Sequence, residues 1–502
     1  MHDKKFDFII VDMKKSNFFK TVILSLIFSA TASSVCATES VENLLTGYLG
    51  NDLTLKNLSY AMSKTMLEKK ISDIDKGFSF KLSTGTITFS TTGNGSVKFT
   101  PSASFSLPQA SNLGISVSST ILFDSLESTD VFSGTSLKVS ADIISSTAKT
   151  RQVSLLKSQR TVLEAQRNLQ NGFVKAEKDF YTDLKTLYNL WSQVVSAEKS
   201  LYDSKLDFEK IKAQGYAVKS TKYRTAQMEV LDNERNVEKQ RRELDRAVTA
   251  FAAKCGIEYS GSAEDFLPAT IPGVEAVDVN SFSPDSYTKV ESAKWTQYIN
   301  DLARSAESAV TLTGNAGFTF NNSQTSSNTV DVGTDFTWNS TGLKVSTGAA
   351  LPVGGESFNP VFTLGLSFDP NAFRTAKINS EIKAVEAEQE SVAIQSALAE
   401  YKTQLVSRNS SLEDIKWEAE TVKKSYEMYE SLEADMKSYY LQGIVTESEY
   451  KSAQVNKESC RLKLLINSLD LIIYNDETTL LFCRDEELTS ERKKITEESD
   501  EK

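Results

Sequence analysis

The stretch 142–255 repeats apolar residues at steps of three, four or seven, which is the spacing of one face of an α-helix. The apolar stripe begins near Val162 and continues to Ile211, with Lys, Glu, Asp, Gln and Ser between its members. Such a stripe packs against partner helices in the manner of a coiled coil. The pattern predicts a long helix over about 142–214 and a shorter one over 220–255.

The distribution of glycine and proline extends this prediction to the second half of the chain. No proline lies between Gln109 and Leu267 or after Pro370, and residues 371–482 contain Gly443 as their one glycine. Both residue types are unfavourable inside helices. We therefore expect a second long helix over 371–442 and a shorter helix over 446–482.

Two other regions alternate apolar with small polar residues, which is the period of a β-strand with one apolar face. They predict strands over about 78–123 and about 316–368, with a hairpin turn at Gly93-Asn94-Gly95. Weak alternation of this kind suits transmembrane barrel strands and suits an ordinary soluble sandwich equally well.

Matching residues at a constant displacement indicate an internal duplication. Thr147-Ala148-Lys149 and Gln214-Gly215 recur 228 positions later, and Cys255 and Cys483 fall in the same register. We predict a first repeat at 38–260 and a second at 285–482, each beginning with a short helix, joined by a linker at 261–284. Helices of about 67 residues, near 100 Å long at ~1.5 Å per residue, would then run between the same two levels.

The two ends of the chain predict export and a polar tail. Lys14 and Lys15 precede an apolar run and a small-residue stretch ending at Ala37, so residues 13–37 read as a signal peptide whose true start is Met1 or Met13. Acylation of Cys36 is a competing interpretation. No later run is apolar enough for a membrane helix, so a membrane-bound mature chain would use strands. The charged segment 483–502 is predicted to be disordered.

Composition gives little support to enzyme chemistry. The formal net charge is −11, which argues against nucleic acid as a partner, and the single histidine is His2, ahead of the signal segment. Cys255, Cys460 and Cys483 are odd in number and lack a metal-ligand spacing. We predict no catalytic, cofactor or metal site.

Leu122-Phe123-Asp124 and Leu366-Ser367-Phe368-Asp369 resemble the strand-to-helix signature of the TolC-like outer-membrane efflux protein family. Leu244–Val248 followed by Cys255-Gly256 resembles the end of the first inner helix of that family. The turns that begin at Gly215 and Gly443 resemble the periplasmic tip turns of that family.

The resemblance implies a mixed α and β fold. Long antiparallel coiled-coil helix hairpins would form an α-barrel below a small transmembrane β-barrel, with two repeats per protomer in a homotrimer. The family pattern has two strands per repeat, whereas the apolar runs would allow four. The implied function is an exit duct in the outer membrane, mostly periplasmic, that works with a periplasmic adaptor and an inner-membrane transporter.

The adaptor would contact the tip turns. The residues expected at that contact are Gly215, Tyr216, Ala217, Val218, Tyr223, Ala226, Gly443, Ile444, Val445, Thr446, Tyr450 and Ala453. Glu449 and Ser452 are candidates for a charged aperture, and the alternative for Glu449 is an exposed glutamate that favours a helix start. The two glycines are expected to end their helices in left-handed conformation.

Two other functions fit the same patterns. One is an exported adhesin or a periplasmic coiled-coil scaffold, in which the strands form a soluble cap. The other is a family member that has lost transport and serves as a surface antigen.

Overall fold

The structure is a computed structural model, and it describes residues 40–90, 96–108, 112–124, 134–259, 261–320, 328–354 and 358–483. The predicted signal peptide at 13–37, the hairpin turn at Gly93–Gly95 and nearly all of the predicted tail at 483–502 lie outside these residues. The chain divides into two compact units. The helical unit is Met1–Tyr60, Arg167–Thr288 and Ala399–Lys502, and the sheet unit is Ala61–Gln166 and Lys289–Leu398.

Eight α-helices are present among the described residues. They are α1 Val41–Asn51, α2 Leu53–Asp75, α3 Thr147–Ala213, α4 Thr221–Lys254, α5 Ala263–Phe266, α6 Thr288–Ala306, α7 Pro370–Leu441 and α8 Glu447–Leu481. With 67 residues, α3 is about 100 Å long at ~1.5 Å per residue. Within the described part of the chain, no helix combines the length and hydropathy of a membrane span.

The core of the helical unit lies where α1 packs against α3, α4 and α8. Leu44 of α1, Phe180 and Leu184 of α3, and Leu462 and Leu469 of α8 are fully buried there. At Gly47 a Cβ would lie 2.3 Å from the carbonyl oxygen of Cys255, so this close approach of α1 to the end of α4 requires glycine. The buried Tyr188 hydroxyl donates a hydrogen bond to the carbonyl of Pro268 at 2.6 Å, which satisfies its polar atom.

The end of α8 is held by a second cluster in the same unit. Phe482 stacks on Phe282 with ring centroids 4.3 Å apart, and it forms an isolated β-bridge with Tyr287. The Cys483 amide donates to the carbonyl of Ser286 at 2.7 Å. These contacts fix the segment that follows α8 against the segment that precedes α6.

The sheet unit contains eleven described strands. They are β1 Ser79–Ser83, β2 Ile87–Ser90, β3 Ser96–Phe99, β4 Ser102–Leu107, β5 Leu113–Ser118, β6 Ile121–Asp124, β7 Thr135–Ile144, β8 Val310–Phe320, β9 Asn328–Trp338, β10 Leu343–Val353 and β11 Val361–Phe368. Eight form one antiparallel sheet in the order β1-β4-β5-β7-β8-β9-β10-β11, and β2-β3-β6 form a second, smaller sheet. Each half of the chain therefore gives four strands to the main sheet, the larger of the two numbers that the sequence allowed.

The small sheet forms where the chain of the first half bends between β1 and β2, between β3 and β4, and between β5 and β6. Gly85 marks the bend between β1 and β2, with φ at 66° and no room for a Cβ, which would lie 1.7 Å from the Thr100 carbonyl oxygen. Pro101 marks the bend between β3 and β4. A left-handed glycine and a proline are both residues that end regular pairing.

The structure corrects two sequence predictions at the start of α3. The long helix begins at Thr147 rather than at about 142, because residues 135–144 form β7, paired on one side with β5 and on the other with β8. The predicted strand region therefore extends beyond 123. Leu122-Phe123-Asp124 lies in β6, and the next element that the structure describes is β7, whereas Asp369 lies between the end of β11 and the start of α7.

Buried charge joins α3 to α6 within the sheet unit. The Arg160 guanidinium donates two hydrogen bonds to the Glu291 carboxylate, at 2.5 and 2.8 Å, and both side chains are buried. The ring of Trp295 lies 5.2 Å from the guanidinium carbon. Breaking one partner of such a pair would leave the other charge buried and unpaired, which is strongly destabilising.

Candidate functional site

The first turn, residues 214–220, joins α3 to α4. Gly215 has φ at 76°, and its amide donates to the carbonyl of Lys212 at 3.0 Å, so it ends α3 as the sequence predicts. Ser220 caps α4 by accepting a hydrogen bond from the Tyr223 amide. Residues 214–219 are all exposed, including Tyr216, Ala217 and Val218.

Side chains behind the first turn fix its geometry. Tyr223 is half-buried and packs edge-on against Phe208, with ring centroids 5.1 Å apart, and Ala226 is buried. The Lys222 ammonium donates to the Tyr216 hydroxyl at 3.2 Å and lies 4.5 Å from the centre of that ring. Tyr223 and Ala226 therefore lie between helices, while Tyr216 remains at the surface.

The second turn, residues 442–446, joins α7 to α8. Gly443 has φ at 71°, its amide donates to the Tyr440 carbonyl at 3.0 Å, and the Ile444 amide donates to the Tyr439 carbonyl at 2.9 Å. This pair of bonds is the Schellman helix ending. Gly443, Ile444 and Thr446 are exposed and Val445 is half-buried.

Glu449 and Thr446 form a reciprocal capping box at the start of α8. The Glu449 amide donates to Thr446 Oγ1 at 3.3 Å, and the Thr446 amide donates to Glu449 Oε2 at 2.7 Å. This backbone donor lowers the pKa of the Glu449 carboxyl, because it stabilises the charged form. The geometry gives Glu449 the helix-start role that was its alternative interpretation, and an aperture role remains a prediction.

The other predicted residues of the second turn lie deeper. Tyr450 is half-buried. Its hydroxyl donates a hydrogen bond to the Glu433 carboxylate at 3.2 Å, and its ring stacks on that of Tyr440 with ring centroids 5.5 Å apart. Ser452 is half-buried and Ala453 is buried. Tyr450 and Ala453 are thus positioned as Tyr223 and Ala226 are at the first turn.

Contacts between α3 and α8 show that the two turns lie at different levels. Lys185 bonds Asp470 at 2.5 Å, and further along both helices Ser448 donates to Asp203 at 3.1 Å. The first residues of α8 are therefore level with Asp203, ten residues before α3 ends at Ala213. At ~1.5 Å per residue, the first turn projects about 15 Å beyond the second. The sequence predicted that the two long helices, α3 and α7, would end at the same level. That expectation is wrong at the turns, because the length of a helix does not determine how it is aligned with its neighbours.

The turns also differ in charge. The segment around the first turn has a net positive charge, because Lys210, Lys212, Lys219, Lys222 and Arg224 outnumber Asp207 and Glu209, which form ion pairs with Lys210 and Lys212. The segment around the second carries Asp435, Glu447 and Glu449 together with Lys437 and Lys451. Any partner of the first turn would meet a positive surface.

The main sheet has two chemically distinct faces, which follow from the pairing register. On one face lie Phe80 and Leu82 of β1, and this row continues through the paired strands to Leu366 and Phe368 of β11. The apolar members between them, listed by strand, are Ala103, Phe105, Leu107, Leu113, Ile115, Val117, Leu137, Val139, Ala141, Ile144, Val310, Leu312, Ala316, Phe318, Phe320, Val330, Val332, Phe336, Trp338, Leu343, Val345, Ala349, Leu351, Val353, Phe362 and Leu364. Thr334 and Thr347 also lie on this apolar face, and their hydroxyls hydrogen-bond each other at 2.7 Å.

The opposite face of the same sheet is polar and small. It consists mainly of Ser, Thr and Gly, and its charged residues are Lys81, Lys138, Asp142, Asp331, Asp335 and Lys344. Strict alternation along each strand produces this separation. The sequence predicted the alternation in most strands and missed it in β7, where Leu137 and Val139 alternate with Ser136 and Lys138.

Two family models, described as the TP096X N-terminal domain and the TP096X C-terminal domain, match residues 44–271 and 272–485. Among the curated proteins none matches.

Several solved structures are similar to this chain. The outer membrane protein VceC of Vibrio cholerae has 11% sequence identity and a TM-score of 0.45, covering 88% of this chain and 96% of its own. The Campylobacter jejuni CmeC outer membrane channel has 12% identity and a TM-score of 0.46, with 95% and 90% covered. The Neisseria gonorrhoeae MtrE outer membrane channel, in its open state, has 10% identity and a TM-score of 0.42, with 90% and 93% covered.

The two TP096X models match consecutive segments that together cover most of the sequence. The chain therefore contains a TP096X N-terminal domain followed by a TP096X C-terminal domain.

Proposed function

We propose that this protein is the outer-membrane channel subunit of a tripartite efflux or type I secretion system. In this proposal three copies and their two repeats enclose one duct through the periplasm. Substrates pass from an inner-membrane transporter to the exterior. The observation that carries the proposal is the main sheet, with one apolar and one polar face.

The apolar face is costly in water. Phe362, Leu364, Leu366 and Phe368 on β11 are 64–74% exposed, and Phe80 and Leu82 on β1 are exposed to a similar degree. Burying one such side chain in an apolar environment is favourable by about 1.5–3 kcal/mol. A contiguous apolar surface across eight strands therefore calls for a cover, and lipid acyl chains provide one while the polar face lines water.

The connections of the sheet support the same arrangement. α2 leads into β1, β7 leads into α3, α6 leads into β8 and β11 leads into α7. The register places all four of these junctions at one end of the sheet. Ile144 at the end of β7 pairs with Leu312 near the start of β8, and Phe368 at the end of β11 pairs with Leu343 at the start of β10. Ser79 at the start of β1 pairs with Ser106, beside the β4–β5 turn at the same end. A sheet in a membrane would then have its helices on a single side, as a periplasmic duct requires.

The two turns are the proposed docking surface for the adaptor. Tyr216, Val218 and Ile444 are exposed apolar side chains at the turns, where a partner could cover them. Tyr223, Ala226, Tyr450 and Ala453 would instead support the turns from behind, since they are half-buried or buried in a single copy.

Substitutions on the two faces of β11 test the membrane assignment. Leu364→Arg places a charge on the apolar face, where a buried arginine costs about 2–4 kcal/mol near the middle of a bilayer. Thr363→Arg places the same charge on the polar face of the same strand. We expect Leu364→Arg to abolish recovery in carbonate-washed outer membranes and Thr363→Arg to leave it near the parent level. Equal recovery of the two variants would contradict the assignment.

Conductance tests transport itself. Detergent-extracted protein that retains its oligomeric state should form discrete single channels in a planar bilayer. Well-folded protein that gives no conductance would sink the channel proposal and favour a scaffold or surface antigen.

A further inference from the structure

The main sheet ends in two strands that each have a neighbour on one side. In the described structure the eight-strand order begins with β1 and finishes with β11. The large side chains of both strands are highly exposed, with Leu82 at 76% and Phe362 at 74%. Unpaired strand edges of this kind are templates for pairing with another strand.

The two edges match each other in direction and in chemistry. β1 runs away from the helix end of the sheet and β11 runs toward it, so the two would pair antiparallel, like every other neighbouring pair in the sheet. Phe80 and Leu82 lie on the same face as Leu364 and Leu366. Joining the edges would therefore continue both the apolar and the polar face without interruption.

Closure of β1 onto β11 within one chain is disfavoured by the polar face. An eight-stranded barrel has an interior just wide enough to be filled by side chains. The polar face offers mostly Ser, Thr and Gly, which would leave that interior underfilled. It would also confine Lys81, Lys138, Asp331, Asp335 and Lys344 in a narrow space, and burying charges away from water is costly.

We propose that β1 of one copy pairs antiparallel with β11 of the next copy, so that each copy contributes eight strands to a shared barrel. This rests on the proposed function, and it differs from the four strands per copy that the resemblance to TolC-like proteins implies. Three copies would then give twenty-four strands. With strands about 4.8 Å apart and tilted by about 40°, the barrel would be about 50 Å across, roughly twice the width of a twelve-stranded one.

Cysteine cross-linking between copies tests the seam. Cys36, Cys255, Cys460 and Cys483 are first replaced by Ala in the full chain. Two singly substituted forms with different tags are then co-expressed, one carrying Ser83→Cys on β1 and the other carrying Thr363→Cys or Ser367→Cys on β11. All three positions lie on the polar face, where an oxidant in water reaches them.

The expected result is a disulfide-linked dimer that carries both tags. The matched control is Ser104→Cys in place of Ser83→Cys, because β4 is already paired on both sides and should give no mixed dimer. A chain carrying both substitutions that forms the disulfide only within itself, without dimers, would overturn the proposal in favour of closure in one copy.

The width of the unmodified protein gives a second readout that needs no variant. Electron microscopy of the detergent-extracted oligomer should show a sheet end about 50 Å across between opposite strands. A width near 25 Å would also overturn the eight-strand seam. If the sheet end is about 25 Å wide and the protein conducts, the channel proposal stands and the eight-strand seam fails. If the mixed-tag dimer forms and the protein does not conduct, the channel proposal alone fails.

Discussion

The first and second turns use the same backbone solution with different side chains. Gly215 and Gly443 both adopt left-handed φ, and in both turns the next helix begins at a hydroxyl cap, Ser220 or Thr446. The position of Glu449 in the capping box is taken at the first turn by Tyr223, three residues after Ser220. The first turn is basic and projects beyond the second, which is held against α3 by the bond from Ser448 to Asp203.

This difference shows which features a helix turn constrains. A chain that reverses between two antiparallel helices needs one residue with positive φ, and glycine adopts it without steric cost. The charge around the turn is not constrained in this way, because the residues that follow each glycine, 216–219 and 444, are exposed. We infer that the need to reverse the chain determines the backbone conformation of both turns. The charge of the side chains around each turn can instead differ according to the partner that binds there.

The largest effect is expected from alanine at the two glycines. Gly215→Ala and Gly443→Ala should each destabilise their turn by about 1–2 kcal/mol, the cost of a left-handed conformation for a residue with a Cβ. Hydrogen exchange of the amides in each turn should accelerate by roughly five- to thirtyfold, as about 1.4 kcal/mol corresponds to a tenfold change. Both turns should respond alike.

Gly273→Ala is the matched control for this pair. Gly273 also has open space around it but does not have a positive φ, so alanine there should leave exchange unchanged or slightly slower. If Gly215→Ala and Gly443→Ala behaved like Gly273→Ala, the constraint on the turns would not be conformational.

A smaller effect is expected from loss of the helix caps. Ser220→Ala and Thr446→Ala each remove an acceptor for an amide at the start of a helix, which costs about 1 kcal/mol. Thr446→Ala should have the larger effect, because the Thr446 hydroxyl also donates to Glu449 at 2.8 Å. Hydrogen exchange at Tyr223 and Glu449 amides reports the two losses separately. A larger effect at Ser220 would mean that the capping box adds nothing to the second turn.

Much of the helical structure could be predicted from sequence because its physical cause is local. The apolar stripe along α3 and the rarity of glycine and proline predict long helices without reference to the rest of the fold. The turns at Gly215 and Gly443 could be predicted for the same reason. The start of α3 could not, since Thr135–Ile144 becomes a strand through pairing with β5 and β8, which are distant in sequence.

The candidate site was less predictable than the helices. Glu449 was a candidate for an aperture ring on the basis of resemblance, but its nearest partner is the backbone of Thr446, a contact that the spacing of Thr and Glu indicates. The offset between the turns depends on contacts such as Lys185 with Asp470, and no local pattern specifies them. The two faces of the sheet were readable strand by strand, whereas their joining into one surface required the register.

The smallest expected effect is a difference between the two turns in how their exchange protection depends on pH. The pKa of Glu449 is lowered in the folded state by the bond from the Thr446 amide, so its contribution to stability is fully present above the unfolded pKa and is lost as pH falls through the folded value. The hydroxyl cap of Ser220 does not titrate. Exchange protection of the second turn, relative to the first, should therefore decrease on acidification below about pH 4.5.

Glu449→Gln identifies the source of that decrease. The variant keeps the size of the side chain but removes its charge, so the second turn should lose protection at neutral pH and its protection should no longer change relative to the first turn on acidification. A ratio that still falls in acid in the Gln variant would assign the pH dependence to a group other than Glu449. The capping box would then be a geometric feature of the second turn without an electrostatic contribution of its own.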